Sequence, residues 1–129
     1  MLVAFSVAPS GAAPGGRTAA GPSGEADSVS AVAEAVRVVR ASGLPNRTDA
    51  MFTTIEGDWP ACMDVVRQAV DAVAPFGTRV SLVLKADIRP GHTGELEGKV
   101  DRLEALLADR AGEGRPAGGT DEDGGEASA

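Results

Sequence analysis

The stretch AMFTTIEGDW, residues 50–59, constrains the fold of this chain more than any other part, because a β-type run stops abruptly there. The β-branched residues 53–55 favour a strand, and Glu56 ends the run on a charge. Gly57 then permits a positive φ before a helix begins. A lone carboxylate at the end of a strand is a candidate ligand contact.

Length and composition predict one small domain with an aliphatic core. The chain has 129 residues, so it buries a smaller fraction of its surface than a long chain does. Hydrophobic residues make up 43%, which is typical of globular proteins, but aromatic residues make up only 3%. The net charge of -7 and the scattered Lys and Arg residues argue against nucleic acid as a partner. Much of the acidic charge lies after residue 110, so the folded part is only mildly acidic.

The single cysteine limits the possible disulfide chemistry, and the lack of a long apolar run argues against a membrane protein. Cys62 cannot form an intrachain disulfide, and its place on the apolar stripe of a helix indicates a small buried hydrophobe. No positive residue precedes the apolar N-terminal run, which indicates a first strand and not a signal sequence. No apolar run approaches the roughly 20 residues that span a bilayer. We therefore expect a soluble, cytoplasmic protein with no membrane partner.

The first half of the chain predicts a strand, a loop and a helix. Residues 2–8 are compatible with a strand that stops at the turn signal Pro9-Ser10-Gly11. Residues 12–27 are almost wholly small and polar, which predicts a flexible loop. Ser28 or Ser30 can cap a helix that Gly43 and Pro45 close. Its apolar positions recur at helical spacing and are Val29, Val32, Val36 and Val39.

The second half predicts two short strands, a helix, a strand and a last helix. Residues 46–51 and 52–56 indicate the two strands, and Asp58 can cap the following helix with Pro60 in its first turn. That helix has an apolar face of Cys62, Val65, Val66, Ala69, Val70 and Val73. Residues 79–88 alternate cleanly between Val80, Leu82, Leu84, Ala86 and Ile88 on one face and Val83 among polar residues on the other. Leu96, Val100, Leu103 and Leu107 mark the last helix.

The resulting order, β-α-β-β-α-β with an additional C-terminal helix, is the α+β ferredoxin-like plan. We predict a ferredoxin-like ligand-binding domain over residues 1–109 and a disordered acidic tail over residues 110–129. Two helices cover only one face of such a sheet. Val83, with Val3, Phe5 and Val7, is expected on the open face, where an apolar patch favours association. A homodimer or homotetramer is therefore expected.

No catalytic set is apparent in the sequence. His92 is the only histidine and is most simply an exposed loop residue. No spacing of carboxylates and histidines indicates a metal site, and the glycines of the first loop form no Walker sequence. We predict a protein that is not an enzyme and has no cofactor.

Five short motifs resemble the thiamine-binding-protein-like family. They are Ser6-Val7-Ala8-Pro9, Ser42-Gly43-Leu44, the run 51–57, Lys85-Ala86-Asp87-Ile88-Arg89, and Gly98-Lys99-Val100. The resemblance covers about residues 2–107 and implies a ferredoxin-like subunit that forms dimers or tetramers. It also implies a cleft for thiamine or its hydroxymethylpyrimidine part, without catalysis. Phe52, where a small residue is common, and the long first loop depart from the usual pattern.

The candidate ligand-binding residues combine this resemblance with chemistry. Carboxylates and Thr hydroxyls can engage the amine and ring nitrogen of an aminopyrimidine, and an acidic site favours a thiazolium. The candidates are Ser6, Met51, Thr53, Thr54, Glu56 and Asp87. Thr53 and Thr54 alternate along the strand, so only one can face a given cleft. Three alternatives remain. The charges of Lys85, Asp87 and Arg89 can form a surface ion network at a subunit contact. The chain can be a structural or regulatory oligomerisation module without a ligand, or an enzyme in which Glu56 is a general base.

Overall fold

The computed structural model describes residues 1–12 and 28–114. The elements, in order, are β1 (Leu2–Ser10), α1 (Ser28–Ala41), β2 (Asn46–Thr48), β3 (Thr53–Glu56), α2 (Trp59–Val73), a 3-10 turn (Ala74–Phe76), β4 (Arg79–Asp87) and α3 (Glu95–Glu113). This is the predicted order of strands and helices. The predicted flexible loop lies outside the described residues except for Ala12. The predicted acidic tail lies outside them from residue 115 onward, and its residues 110–113 belong to α3, so the boundary predicted at residue 109 falls within that helix.

The four strands form one sheet in the order β2-β3-β1-β4, and every neighbouring pair is antiparallel. β1 is a central strand and pairs with β4 along its whole length, from Leu2 opposite Asp87 to Ser10 opposite Arg79. Its pairing with β3 covers only residues 2–5. The α+β class is confirmed, and the arrangement is consistent with the ferredoxin-like plan.

The core lies between one face of the sheet and the helices α1 and α2. Val3, Phe5 and Val7 of β1 are buried there, together with Ile55 of β3. The expectation that these β1 residues lie on the open face is wrong. Alternation separates the apolar set of a strand from the rest but does not say which face the helices cover, and the large β1 side chains fill the covered face.

The open face of the sheet carries the other residues of each strand. Val83 lies there, opposite Ser6, and is 57% exposed, as predicted. Leu82 and Leu84 lie on the helix side, opposite Val7 and Phe5. Leu82 is nevertheless well exposed, because β4 is an edge strand.

The two helices on the sheet match their predictions to different degrees. On α2 the predicted apolar face is buried except for the partly buried Val70, and the Asp58 carboxylate accepts the cap hydrogen bond from the Ala61 N–H at 2.9 Å. On α1 the buried residues are Ala31, Ala35 and Val39, whereas Val29 and Val32 are exposed. Helix α1 packs beside α2 as well as on the sheet.

At two positions glycine is favoured because a side chain would meet neighbouring atoms, and not because the backbone has a positive φ. Gly57 does not use the positive φ that a glycine permits. A Cβ there would lie 3.3 Å from the Cys62 sulfur and 3.4 Å from a Leu44 methyl group. At Gly77 a Cβ would lie 2.5 Å from the Ser10 carbonyl oxygen, which accepts the Thr78 N–H.

The chain divides into two compact units, Met1–Gly98 and Lys99–Ala129. The first holds the whole sheet, α1, α2 and the first turn of α3. The second begins within α3, whose Val100, Leu103, Leu106 and Leu107 are exposed. Among the described residues, none of the helices is long and apolar enough to cross a membrane.

Gly77→Ala is expected to lower the free energy of unfolding by about 1–3 kcal/mol, because its methyl group would displace the Ser10 backbone. Gly112→Ala is the matched control, since its Cβ meets nothing within 4 Å near the end of α3 and should not lower the free energy of unfolding. Chemical denaturation followed by circular dichroism measures both. Equal stability of the Gly77→Ala protein and the native chain would contradict the packing argument.

Candidate functional site

The predicted site residues on β3 point to different sides of the sheet. Thr53 pairs with Phe5 on the helix side and is 8% exposed. Thr54 pairs with Ala4 on the open face, and Glu56 pairs with Leu2 on that same face. The structure therefore separates the two threonines, as alternation along a strand requires.

A pocket of about 220 Å³ lies where β1 runs on past the end of β3. We call it the threonine pocket. Its lining residues are Phe5, Ser6, Val7, Ala8, Val32, Ala35, Val36, Thr48, Asp49, Ala50, Met51, Phe52 and Thr53. It brings together three of the six predicted residues, namely Ser6, Met51 and Thr53. Phe52, the departure from the family pattern, lines the same pocket.

The polar groups of the threonine pocket come from the two strand ends and the turn between them. The hydroxyl oxygens of Thr48 and Thr53 are 3.2 Å apart and share a hydrogen bond. One Asp49 carboxylate oxygen accepts the N–H groups of Met51 and Phe52, each at 2.8 Å. Both hydrogen bonds lower the pKa of Asp49, and the bond from the Phe52 N–H has the larger effect. The ionised form of Asp49 is therefore favoured, and Asp49 lines the same pocket as the two hydroxyl groups.

Sequence reasoning missed Asp49 as a site residue and placed it inside the strand predicted over residues 46–51. The observed strand β2 ends at Thr48, before this residue. Asp side chains commonly bind main-chain N–H groups two and three residues ahead and so start turns. The signal was therefore present in the sequence, at the tight connection between the two short strands.

Glu56 has a structural use that the sequence does not reveal. Its carboxylate oxygens accept the N–H of Gly94 at 3.1 Å and the N–H of Glu95 at 2.7 Å. These are the N–H groups at the start of α3, where a helix lacks internal partners and favours negative charge. Glu56 thus acts as the helix cap from a distant strand. Its predicted contact with a ligand stays a prediction.

A second pocket, of about 720 Å³, lies at the opposite end of β3 and includes Glu56. We call it the tryptophan pocket. Its lining residues are Met1, Pro45, Glu56, Gly57, Asp58, Trp59, Ile88, Arg89, Pro90, Gly91, His92, Thr93 and Gly94. Asp87, opposite Leu2 on the open face, and Thr54 line neither of these two pockets.

The remaining reactive side chains are dispersed. Within residues 1–12 and 28–114, no group of three or more His, Cys, Asp and Glu residues is placed to hold a metal ion. Cys62 is buried in the core, and this burial raises the pKa of its thiol. A buried, protonated thiol is a weak nucleophile, which agrees with the predicted role of Cys62 as a small hydrophobe.

The chain belongs to the thiamine-binding protein family, whose family model matches residues 3–104. This confirms the resemblance found in the sequence. The chain is 52% identical over 108 residues to UPF0045 protein Mb1933 of Mycobacterium bovis, covering 83% of this chain and 94% of that protein. UPF0045 protein MT1949 of Mycobacterium tuberculosis gives the same identity and coverage.

Solved structures share the fold. A domain of unknown function, DUF77, from Bacillus cereus has a TM-score of 0.58 and 30% identity, covering 73% of this chain and 82% of that chain. A candidate thiamine biosynthesis/salvage protein from Thermotoga maritima, TM0486, also has a TM-score of 0.58, with 24% identity over 79% of this chain and 96% of that chain. The second likeness is evidence for the fold alone.

Glu56→Gln is expected to lower the free energy of unfolding by about 2 kcal/mol, because the new amide group faces a main-chain N–H where an acceptor is needed. Amide hydrogen exchange should show faster exchange at Gly94 and Glu95. Glu97→Gln is the control, since it removes only an exposed ion pair with Arg47 at 3.5 Å. The same loss of protection in both variants would exclude a specific cap at Glu56.

Proposed function

We propose that this protein is a non-catalytic small-molecule-binding protein and that its threonine pocket takes thiamine through the hydroxymethylpyrimidine part, or takes that precursor alone. One observation carries the proposal: an ionised Asp49 and the hydroxyl groups of Thr48 and Thr53 line one apolar pocket in a chain of the thiamine-binding protein family. Ser6 and Met51 line the same pocket. Met51 completes the proposed contacts, and the predicted contact of Ser6 stays a prediction, because Ser6 lies opposite Val83 on the open face.

The polar groups suit the edge of an aminopyrimidine. The free oxygen of the Asp49 carboxylate is a strong acceptor for the exocyclic amine. A Thr hydroxyl can donate to a ring nitrogen or accept from the amine, because it rotates to suit its partner. Phe5, Val7 and Val36 supply the apolar walls against which a flat ring packs.

The volume favours a one-ring ligand in the pocket. Pockets for drug-sized molecules span roughly 300–1,000 Å³, and the threonine pocket is smaller, at about 220 Å³. Thiamine would therefore place its pyrimidine inside and its thiazolium near the mouth. Met51 is 73% exposed and can pack against the part of the ligand that protrudes, because its side chain is flexible.

The finer assignments of fold, assembly and location accompany this proposal. We infer a ferredoxin-like subunit that forms a homodimer or homotetramer in the cytoplasm. Exposed apolar side chains support assembly: Val83 on the open face, and Val100, Leu103, Leu106 and Leu107 on α3. The same side chains favour the second candidate function, a structural or regulatory oligomerisation module without a small-molecule ligand.

Thr53→Val is expected to weaken the binding of hydroxymethylpyrimidine by about tenfold, because it removes a hydroxyl at nearly constant volume. Titration calorimetry with hydroxymethylpyrimidine, thiamine and thiamine phosphates measures the effect. Asp49→Asn should weaken binding by a similar factor, since it keeps an acceptor for the turn but removes the charge.

Thr54→Val is the matched comparison, because Thr54 lies one residue away on the opposite face. It should bind hydroxymethylpyrimidine as the native chain does. Loss of binding in this variant alone would place the ligand on the open face, near Thr54 and Asp87. No binding by the native chain at millimolar concentration would refute the ligand assignment and favour the oligomerisation module.

Val83→Asp is expected to dissociate the oligomer while leaving the fold intact, because it places an unpaired charge at the proposed contact on the open face. Sedimentation measures the assembly, and circular dichroism measures the fold. Ser81→Asp adds a charge on the same face of β4, and it tests whether any added charge on that face dissociates the oligomer. A native chain that sediments as a monomer at micromolar concentration would rule out this assembly.

A further inference from the structure

The tryptophan pocket has no part in the proposed function. None of its lining residues lines the threonine pocket, and the two pockets lie at opposite ends of β3. Its volume of about 720 Å³ is more than three times that of the threonine pocket. This volume falls within the range of small-molecule sites, roughly 300–1,000 Å³.

The walls of this pocket are apolar and aromatic. Trp59, the only tryptophan of the chain, is 53% exposed, and Ile88 is 56% exposed. Pro90 adds a third apolar side chain. Trp59 is the first residue of α2, between the cap residue Asp58 and Pro60, so its backbone is well fixed. An indole held in this way offers a flat surface on which an aromatic ring can stack.

The acidic groups of the pocket are already engaged. Both oxygens of the Glu56 carboxylate accept main-chain N–H groups of residues 94 and 95. An Asp58 oxygen accepts the Ala61 N–H as the cap of α2. Neither side chain needs a ligand to satisfy it.

The donors of the pocket are not engaged to the same extent. The Arg89 guanidinium forms no ion pair or hydrogen bond within the described part of the chain, and it lines the pocket. The N–H groups of Gly91 and Thr93 also lack a partner there, whereas the N–H of His92 donates to the Arg89 carbonyl. A guanidinium with adjacent main-chain donors matches a carboxylate or phosphate.

We propose that the tryptophan pocket is a second binding site, for a planar aromatic anion. The ring stacks on Trp59 against Ile88 and Pro90, and the anionic group binds Arg89 and the N–H groups of residues 91 and 93. The net charge of the chain is -7, so long-range attraction opposes an anion. Binding of an anion in preference to its neutral counterpart must therefore come from these local donors.

The single tryptophan makes the test direct, because its fluorescence reports on this pocket alone. The probes are AMP, which carries a planar aromatic ring and an anionic phosphate, and adenosine, which has the same ring without the charge. We expect saturable quenching of Trp59 by AMP at millimolar concentration or below, and at least about tenfold weaker binding of adenosine. No quenching by AMP, or equal affinity for the two probes, would overturn the proposal.

Arg89→Gln should weaken the binding of AMP by about tenfold and leave the binding of adenosine unchanged. Arg79→Gln removes the same charge at the other end of β4 and should have no such effect. Trp59→Ala, followed by calorimetry, should weaken the binding of both probes. Equal effects of the two arginine variants would show a general charge effect and contradict the assigned contact.

Competition separates the two sites. Saturating hydroxymethylpyrimidine should leave the AMP titration unchanged, because the pockets share no residue. Displacement of AMP would instead show a single common site and overturn this inference. Failure of hydroxymethylpyrimidine to bind the native chain would remove the proposed function alone, since the AMP titration does not depend on it.

Discussion

The unequal length of the strands beside β1 determines both the core and the threonine pocket. β1 has nine residues and pairs with β4 along all of them, but β3 covers only residues 2–5. Where three strands lie together, Val3 and Phe5 are sealed against the helices. Beyond Phe5 the β1 edge meets the turn that joins β2 and β3, and the threonine pocket forms there. If β3 were longer, its additional residues would pair with β1 beyond Phe5 and occupy the space of the threonine pocket.

The alternation of side chains along β3 gives its four residues different roles. Thr53 faces the pocket, Thr54 the open face and Ile55 the core, and Glu56 caps the start of α3. Each of these roles fixes the register of the strand, because a slip by one residue would exchange all of them. The β-branched run therefore fixes one register for the pocket and the cap together.

Local patterns in the sequence were enough to predict the order of the elements and the buried face of α2, since both depend on periodicity within one element. The face of β1 could not be predicted, because alternation does not say which side the helices occupy. The stripe on α1 was misassigned for a related reason. Valine is the more hydrophobic residue, yet Ala31 and Ala35 are buried in the core while Val29 and Val32 are exposed, because position on the helix and not hydrophobicity decides burial. The Glu56 cap joins residues 38 and 39 positions apart, a distance that no local pattern spans.

The surroundings of Asp49 suit this side chain to binding better than to proton transfer. A general base must have a pKa close to the working pH, which requires burial or a neighbouring like charge. Asp49 has the opposite surroundings, because two main-chain N–H groups lower its pKa and favour the charged form. A carboxylate of this kind is a weak base but a strong hydrogen-bond acceptor. Its charge is constant near neutral pH, so the threonine pocket presents the same acceptor to a ligand amine throughout that range.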